Sequence, residues 1–130
     1  MNRAYEYLKG KTYFIATEDG PQARVRPFGS LYQYEDRLYF STTNNKPVYR
    51  QLKTAPLIEI SAMGEGGWIR ITAEAVEEER REVRERFWRE TVERLGRDPG
   101  NMSDTMAVFY LKNAAAVINR YGAEPEEFTF

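Results

Sequence analysis

Short apolar runs separated by tight turns constrain this chain more than any other feature. TYFIAT (12–17), LYF (38–40), PLIEISAM (56–63) and WIRITAEAV (68–76) are rich in β-branched and aromatic residues. The segments EDGP (18–21), YEDR (34–37) and GEGG (64–67) stand next to them and carry the Gly, Asp and Pro chemistry of reversals. QARVRPFGSLYQY (22–34) alternates, with Arg24, Arg26, Phe28, Ser30 and Tyr32 on one face and Ala23, Val25, Pro27, Gly29 and Leu31 on the other. Pro27 and Gly29 inside such a strand predict a bulge or a close approach of something to the backbone. MAVFYLK (106–112) and AAAVINR (114–120) read as a last hairpin, and YGAEPEEFTF as an extended tail.

Helices interrupt this pattern in three places. Residues 2–9 read as a short helix with Tyr5 and Leu8 on one side. A second short helix opens near Pro47. The charged stretch 77–96 forms a longer one, with Val83, Phe87, Thr91 and Leu95 at four-residue spacing and Glu and Arg over the rest. The expectation is a mainly β chain of six to seven antiparallel strands in a closed or half-closed barrel. The short inserted helix follows the third strand and the longer helix follows the fifth. At 130 residues the chain is expected to be one domain, 1–130.

Composition then removes whole classes of chemistry. The chain has no cysteine and no histidine, which excludes disulfides, thiol catalysis, histidine-ligated metals and any histidine-based triad. A bound organic cofactor is the natural carrier of any reaction here, and no protein side chain is expected to be catalytic. The formal charge of −1 argues against nucleic acid as a partner. No apolar run approaches the roughly 18 residues of a membrane span. The amphipathic start MNRAYEYLKGK has no signal-peptide core, so a cytoplasmic location is expected.

The stretch STTNNKPVYRQLK (41–53) points to a ligand. A strand leaves through Ser41, Thr42, Thr43, Asn44 and Asn45, and a helix begins at Lys46 and Pro47. Asn44 or Asn45 suits an N-cap, and Pro47 suits the first helical position. Lys46, Arg50 and Lys53 form one basic stripe, while Val48 and Leu52 can face the core. Hydroxyls, free helical N–H groups and a lysine together suit a phosphate. The same residues also describe an ordinary capped helix with a solvated basic face.

ARVRPFG, LYFSTTNNKPVYRQLKTAP and WIRITAEAV, in that order, resemble the pyridoxamine 5′-phosphate oxidase-like, FMN-binding split-barrel family, in particular its short single-domain bacterial members. The similarity runs from about Tyr5 to the closing tail. It implies a homodimer that binds FMN in clefts along the subunit interface. Carried over to this chain, it makes Ser41, Thr42, Thr43, Asn44 and Lys46 a phosphate cradle, with Arg50 in support. Arg24, Arg26, Pro27 and Phe28 become neighbours of the flavin ring, with Trp68 and Arg70 close by. The residues alone also allow Arg24 and Arg26 to pair with Glu59 or Glu74, and Trp68 to be a core or interface anchor.

The departures are informative. The basic pair that the oxidase proper carries in its phosphate helix matches Pro47 and Val48 here, so Lys46 and Arg50 must substitute. The arginine–histidine segment that grips pyridoxal phosphate has no counterpart in EPEEFTF (124–130). The expectation is therefore an FMN-dependent oxidoreductase of a small molecule, acting through flavin N5, and not a true pyridoxamine 5′-phosphate oxidase. A non-enzymatic FMN or electron-transfer protein, a deazaflavin-binding relative, and an interaction protein without cofactor are the alternatives. Thr42, Asn44 and Lys46 speak against the last.

Overall fold

The computed structural model describes residues 2–98 and 100–130. Helix α1 (Arg3–Leu8) is followed by strands β1 (Tyr13–Asp19), β2 (Gln22–Phe28), β3 (Tyr32–Tyr34) and β4 (Arg37–Thr43). Helix α2 (Pro47–Thr54) leads to β5 (Leu57–Gly64) and β6 (Gly67–Glu77), then α3 (Arg81–Arg94), β7 (Met106–Arg120) and β8 (Glu126–Thr129). The strands form one open antiparallel sheet in the order β2-β1-β5-β6-β7-β4-β3, with β8 beside β7. This is a split barrel with helical insertions.

The strand count is eight among the described residues: two segments divide differently from their sequence pattern and offset each other, and the tail adds one strand. Residues 22–34 break after Phe28, so β2 and β3 lie at opposite ends of the sheet, and the inserted helices follow β4 and β6. The pair of runs 106–112 and 114–120 is one strand and not a hairpin. Asn113, at φ +53°, sits where the β6 register shifts between Thr72 and Glu74. The result is a bulge: β7 pairs with β4 through residues 106–110, then bends to take β8 through 115–118. The tail adds β8, and the charged helix begins only after β6 has run to Glu77.

The main core fills the inner face, where Ile15, Ile60, Ile69, Ile71, Phe40 and Phe109 pack with Leu8 of α1 and Leu52 of α2. Asn2 caps α1, its side chain accepting from the N–H groups of Ala4 (2.7 Å) and Tyr5 (3.1 Å). On the outer face, α3 lays Val83 and Phe87 over Tyr39, Met106 and Val108, so β4 and β7 are buried on both sides. The expected apolar stripe of α3 ends there, since Leu95 is exposed. At the entrance to α3 the buried Glu78 accepts from the Tyr39 hydroxyl (3.1 Å) and from Arg80 (2.8 Å). Among the described residues, no helix covers the outer face of β1, β2, β5 and β6 in this way. Phe14, Val25, Leu57 and Met63 stand exposed on it.

Two hairpins turn through paired positive-φ residues, Glu35–Asp36 and Glu65–Gly66, as two-residue turns of the twisted type require. Glu65 sits in a four-member ion cluster. It meets Arg3 (2.8 Å) and Arg120 (2.7 Å), and both arginines also reach Glu126. The cluster ties α1, the β5–β6 turn and the ends of β7 and β8 together. The hydrogen bonds from Arg3 and then Arg120 pull the Glu65 carboxyl from an ordinary value of 4.5 down to about 2.

A folded-state value below the unfolded one gives stability that is present above pH 4.5 and lost as pH falls toward about 2. Glu65→Gln should therefore be less stable than the wild type at neutral pH, with a flatter stability profile over that window. Superimposable pH–denaturation profiles would show that the cluster contributes nothing. Gly67 offers a second test, because a Cβ there would lie 1.7 Å from the Asn119 carbonyl oxygen. Gly67→Ala should cost about 3 kcal/mol or more in urea unfolding, among the largest single-residue effects. Gly66→Ala has open space and only a positive φ to overcome, so it should cost about 1–2 kcal/mol.

Candidate functional site

Two hollows of similar size lie near β1. One, about 550 Å³, sits on the outer face among Ala16, Ala23, Leu57 and Ala73, with Glu18, Glu59 and Glu74 around it and no cation in its lining. The other, about 510 Å³, opens between the β1–β2 hairpin and the start of α2. Arg24, Arg26, Lys46 and Arg50 converge on it, with Asp19 and Gln51. Its charge makes the second hollow the candidate site for an anion.

The local sequence explains how these side chains meet. β2 is the edge strand of the sheet, the position that tolerates the missing N–H of Pro27. Alternation along β2 turns Arg24 and Arg26 toward α2, while Val25 and Pro27 face the outside. From the other end of the sheet, β4 delivers the chain into α2, and Val48, Gln51 and Leu52 bury one side of that helix. Lys46 and Arg50 are left exposed at its start.

The N-terminus of α2 differs from the sequence expectation. Lys46, and not Asn44 or Asn45, occupies the N-cap position, and its side chain makes no capping hydrogen bond among the described residues. Asn45 Oδ1 instead accepts from the Thr43 hydroxyl (2.7 Å), and the Asn44 N–H donates to the Thr105 carbonyl (2.8 Å). Pro47 stands at the first helical turn as its chemistry predicts. The helix therefore presents a positive dipole end with no side-chain acceptor on it.

The cations divide into paired and unpaired sets. Lys53, expected in the basic stripe, turns away to Glu77 (2.9 Å), and Arg24 pairs with Asp19 (3.2 Å). Among the described residues, no carboxylate oxygen lies within 4.0 Å of Lys46, Arg50 or Arg26. Arg26 is half-buried, and its guanidinium donates to three neutral oxygens. Nη1 reaches the Ile15 carbonyl (3.0 Å) and Thr17 Oγ1 (2.8 Å), and Nη2 reaches Gln51 Oε1 (2.6 Å). Burial, and then the neighbouring Arg24 charge, push Arg26 below the usual arginine value, with Asp19 opposing them. Neither arginine of β2 pairs with Glu59 or Glu74.

The remaining predicted residues lie outside the lining of this cleft. The Ser41 hydroxyl meets the Ser30 hydroxyl at 3.0 Å, and Thr42 is buried in β4. Phe28 belongs to the core, stacked on Tyr13 at 6.0 Å and edge-on to Phe40 at 5.5 Å. Pro27 and Arg70 fall in one cross-strand row on the outer face, through Phe14 and Ser61. Arg70 approaches Glu59 at 3.8 Å, and the half-buried Trp68 packs edge-on against Tyr121. The sequence pattern gives Thr17, Asp19 and Gln51 no prominence. The available signal for Gln51 is its position, three residues after Val48 and beside Leu52 on the buried side of α2.

The crystal structure of a NimC/NimA family protein from Clostridium acetobutylicum superposes with a TM-score of 0.87 at 36% identity, covering 98% of this chain and 90% of that one. A pyridoxamine 5′-phosphate oxidase-related, FMN-binding protein from Nostoc punctiforme shares the fold at 13% identity and a TM-score of 0.64, covering 92% of this chain and 86% of that one. An F420 reductase does so at 13% identity and a TM-score of 0.67, covering 89% of this chain and 97% of that one. No curated protein matches the sequence significantly. The family model described as pyridoxamine 5′-phosphate oxidase matches residues 4–119, and the chain belongs to that family.

Proposed function

We propose that the protein binds FMN, with the phosphate in the cleft between β2 and α2, and works as a flavin-dependent oxidoreductase of a small molecule. The observation that carries this reading is the set of three cations, Arg26, Lys46 and Arg50, that share one cleft without a carboxylate partner among the described residues. Unneutralised cations beside an uncapped helix start favour a group carrying close to two negative charges. Arg26 shares the cleft with Lys46 and Arg50, which supports a phosphate role for it over a place beside the ring. The FMN-binding relative from Nostoc punctiforme supports the choice of cofactor.

A bound flavin would supply electron or hydride exchange through its N5, a chemistry that suits a chain without histidine or cysteine. The protein's share is to anchor the phosphate and to cover the ring. The free edge of β2 offers backbone groups to a flat ligand, and the outer-face row of Pro27, Phe14 and Arg70 offers a surface beyond that edge. The absence of histidine and the acidic tail 124–127 support a substrate other than pyridoxamine 5′-phosphate. A deazaflavin with its own phosphate is the second reading, favoured by the likeness to an F420 reductase.

The reading includes a homodimer. Phe14 is 46% exposed, Val25 66%, Leu57 73% and Met63 71%, all on the half of the outer face that α3 leaves open. An apolar patch of this kind is costly to leave in water and suits a second copy of the chain. Residues of the row that ends at Arg70 would then lie between the two subunits.

Two measurements test these proposals. Lys46→Ala should weaken FMN binding by about tenfold or more, the loss of one charge-assisted bond of about 1.5–3 kcal/mol, and leave riboflavin binding unchanged. Equal weakening of the two ligands would remove Lys46 from the phosphate site. Met63→Glu should convert a light-scattering mass of two chains to one while the far-ultraviolet spectrum keeps its β character. A wild-type chain that is monomeric at micromolar concentration and still binds FMN would refute the dimer.

A further inference from the structure

Gln51 stands at the back of the phosphate cleft and is almost completely buried, at 4% exposure. Its Oε1 accepts two hydrogen bonds, one from the Thr17 hydroxyl (2.5 Å) and one from Arg26 Nη2 (2.6 Å). Arg26 Nη1 in turn donates to Thr17 Oγ1 (2.8 Å). The two terminal nitrogens of the guanidinium thus grip two oxygens that are themselves joined by a hydrogen bond. This is the fork geometry of an arginine–carboxylate pair, built from an amide and a hydroxyl, with no negative charge in it.

Several arginines elsewhere take carboxylate partners instead. Arg3 and Arg120 meet Glu65, Arg80 meets Glu78, and Arg94 meets Glu90. A glutamate at position 51 would have the same shape as glutamine and would give Arg26 the stronger partner. The chain places a neutral acceptor there instead. A neutral acceptor fixes the guanidinium in place and leaves its full charge to act on whatever enters the cleft. It costs the free protein something, since a half-buried cation with neutral partners is less well compensated than a salt bridge.

We propose that Gln51, with Thr17, is a positioning residue that fixes the Arg26 fork without neutralising it, and so sets the preference of the cleft for a doubly charged phosphomonoester over the uncharged parent alcohol. The inference rests on the phosphate reading of the cleft and adds which residue sets the charge of the site. Gln51 Oε1 is taken up by Arg26 and Thr17. Its influence is exerted through the orientation and net charge of the arginine.

The test uses the full chain freed of flavin, titrated with FMN and with riboflavin, and compares the wild type with Gln51→Glu and Gln51→Met. Gln51→Glu should melt at the wild-type temperature or above it, because a buried salt bridge replaces a neutral bond, yet bind FMN at least about tenfold more weakly, with riboflavin unchanged. Gln51→Met keeps the length and packing of the side chain and leaves Arg26 charged. It should lose only about two- to fourfold in FMN affinity, because the guanidinium is less firmly held but keeps its full charge. Equal FMN affinity in the wild type and Gln51→Glu, or equal losses in Glu and Met, would overturn the proposal. A wild type that binds riboflavin as tightly as FMN would overturn the phosphate reading itself, and this inference with it.

Discussion

The two ends of the sheet meet without a backbone ladder, and side chains close the gap. β2 and β1 stand at one end of the strand order and β4 and β3 at the other. Across the opening, Phe28 packs edge-on to Phe40, the Ser30 hydroxyl meets that of Ser41, and the Tyr13 hydroxyl donates to the Ser30 carbonyl. Thr17 on β1 bonds to Gln51 on α2, whose helix follows directly from β4. A continuous ladder would have left no entrance. The split leaves a cleft at the seam, and the cations lie beside it.

The rest of the architecture serves that seam. β7 bends at Asn113 so that one strand supports β4 with its first half and β8 with its second. α3 covers the outside of β4 and β7 and so stiffens the side from which α2 departs. The opposite outer surface, over β1, β2, β5 and β6, carries exposed apolar side chains. Packing is thus unequal on the two halves of one sheet, and the cleft lies between them.

Local patterns were legible where they followed from single elements. Alternation in 12–17, 56–63 and 68–76 gives β1, β5 and β6, and Val48 and Leu52 announce the buried side of α2. The Asn after Lys112 looks like a turn because a left-handed asparagine serves a hairpin and a bulge equally well. Residues 22–34 keep their alternation through the gap between β2 and β3, so periodicity does not reveal the break. The basic side chains of the cleft could be named from sequence. Which of them lacks a partner could not, since Lys53 finds Glu77 across 24 positions of chain, and Arg26 finds Gln51 across 25. Such pairings depend on which strand ends come together in space.

The seam has a consequence for the order in which the protein comes into being. Every cationic residue of the cleft lies between Arg24 and Arg50, more than fifty positions before β7 begins at Met106. Yet β4 is joined to the strands on the far side of the sheet only through β7, which ends at Arg120. A nascent chain on the ribosome would expose Arg26, Lys46 and Arg50 long before the strand that sets them in register had left the exit tunnel. Any ligand of the proposed site would therefore be captured only after β7 has emerged, and its binding would report that β4 and β7 have paired.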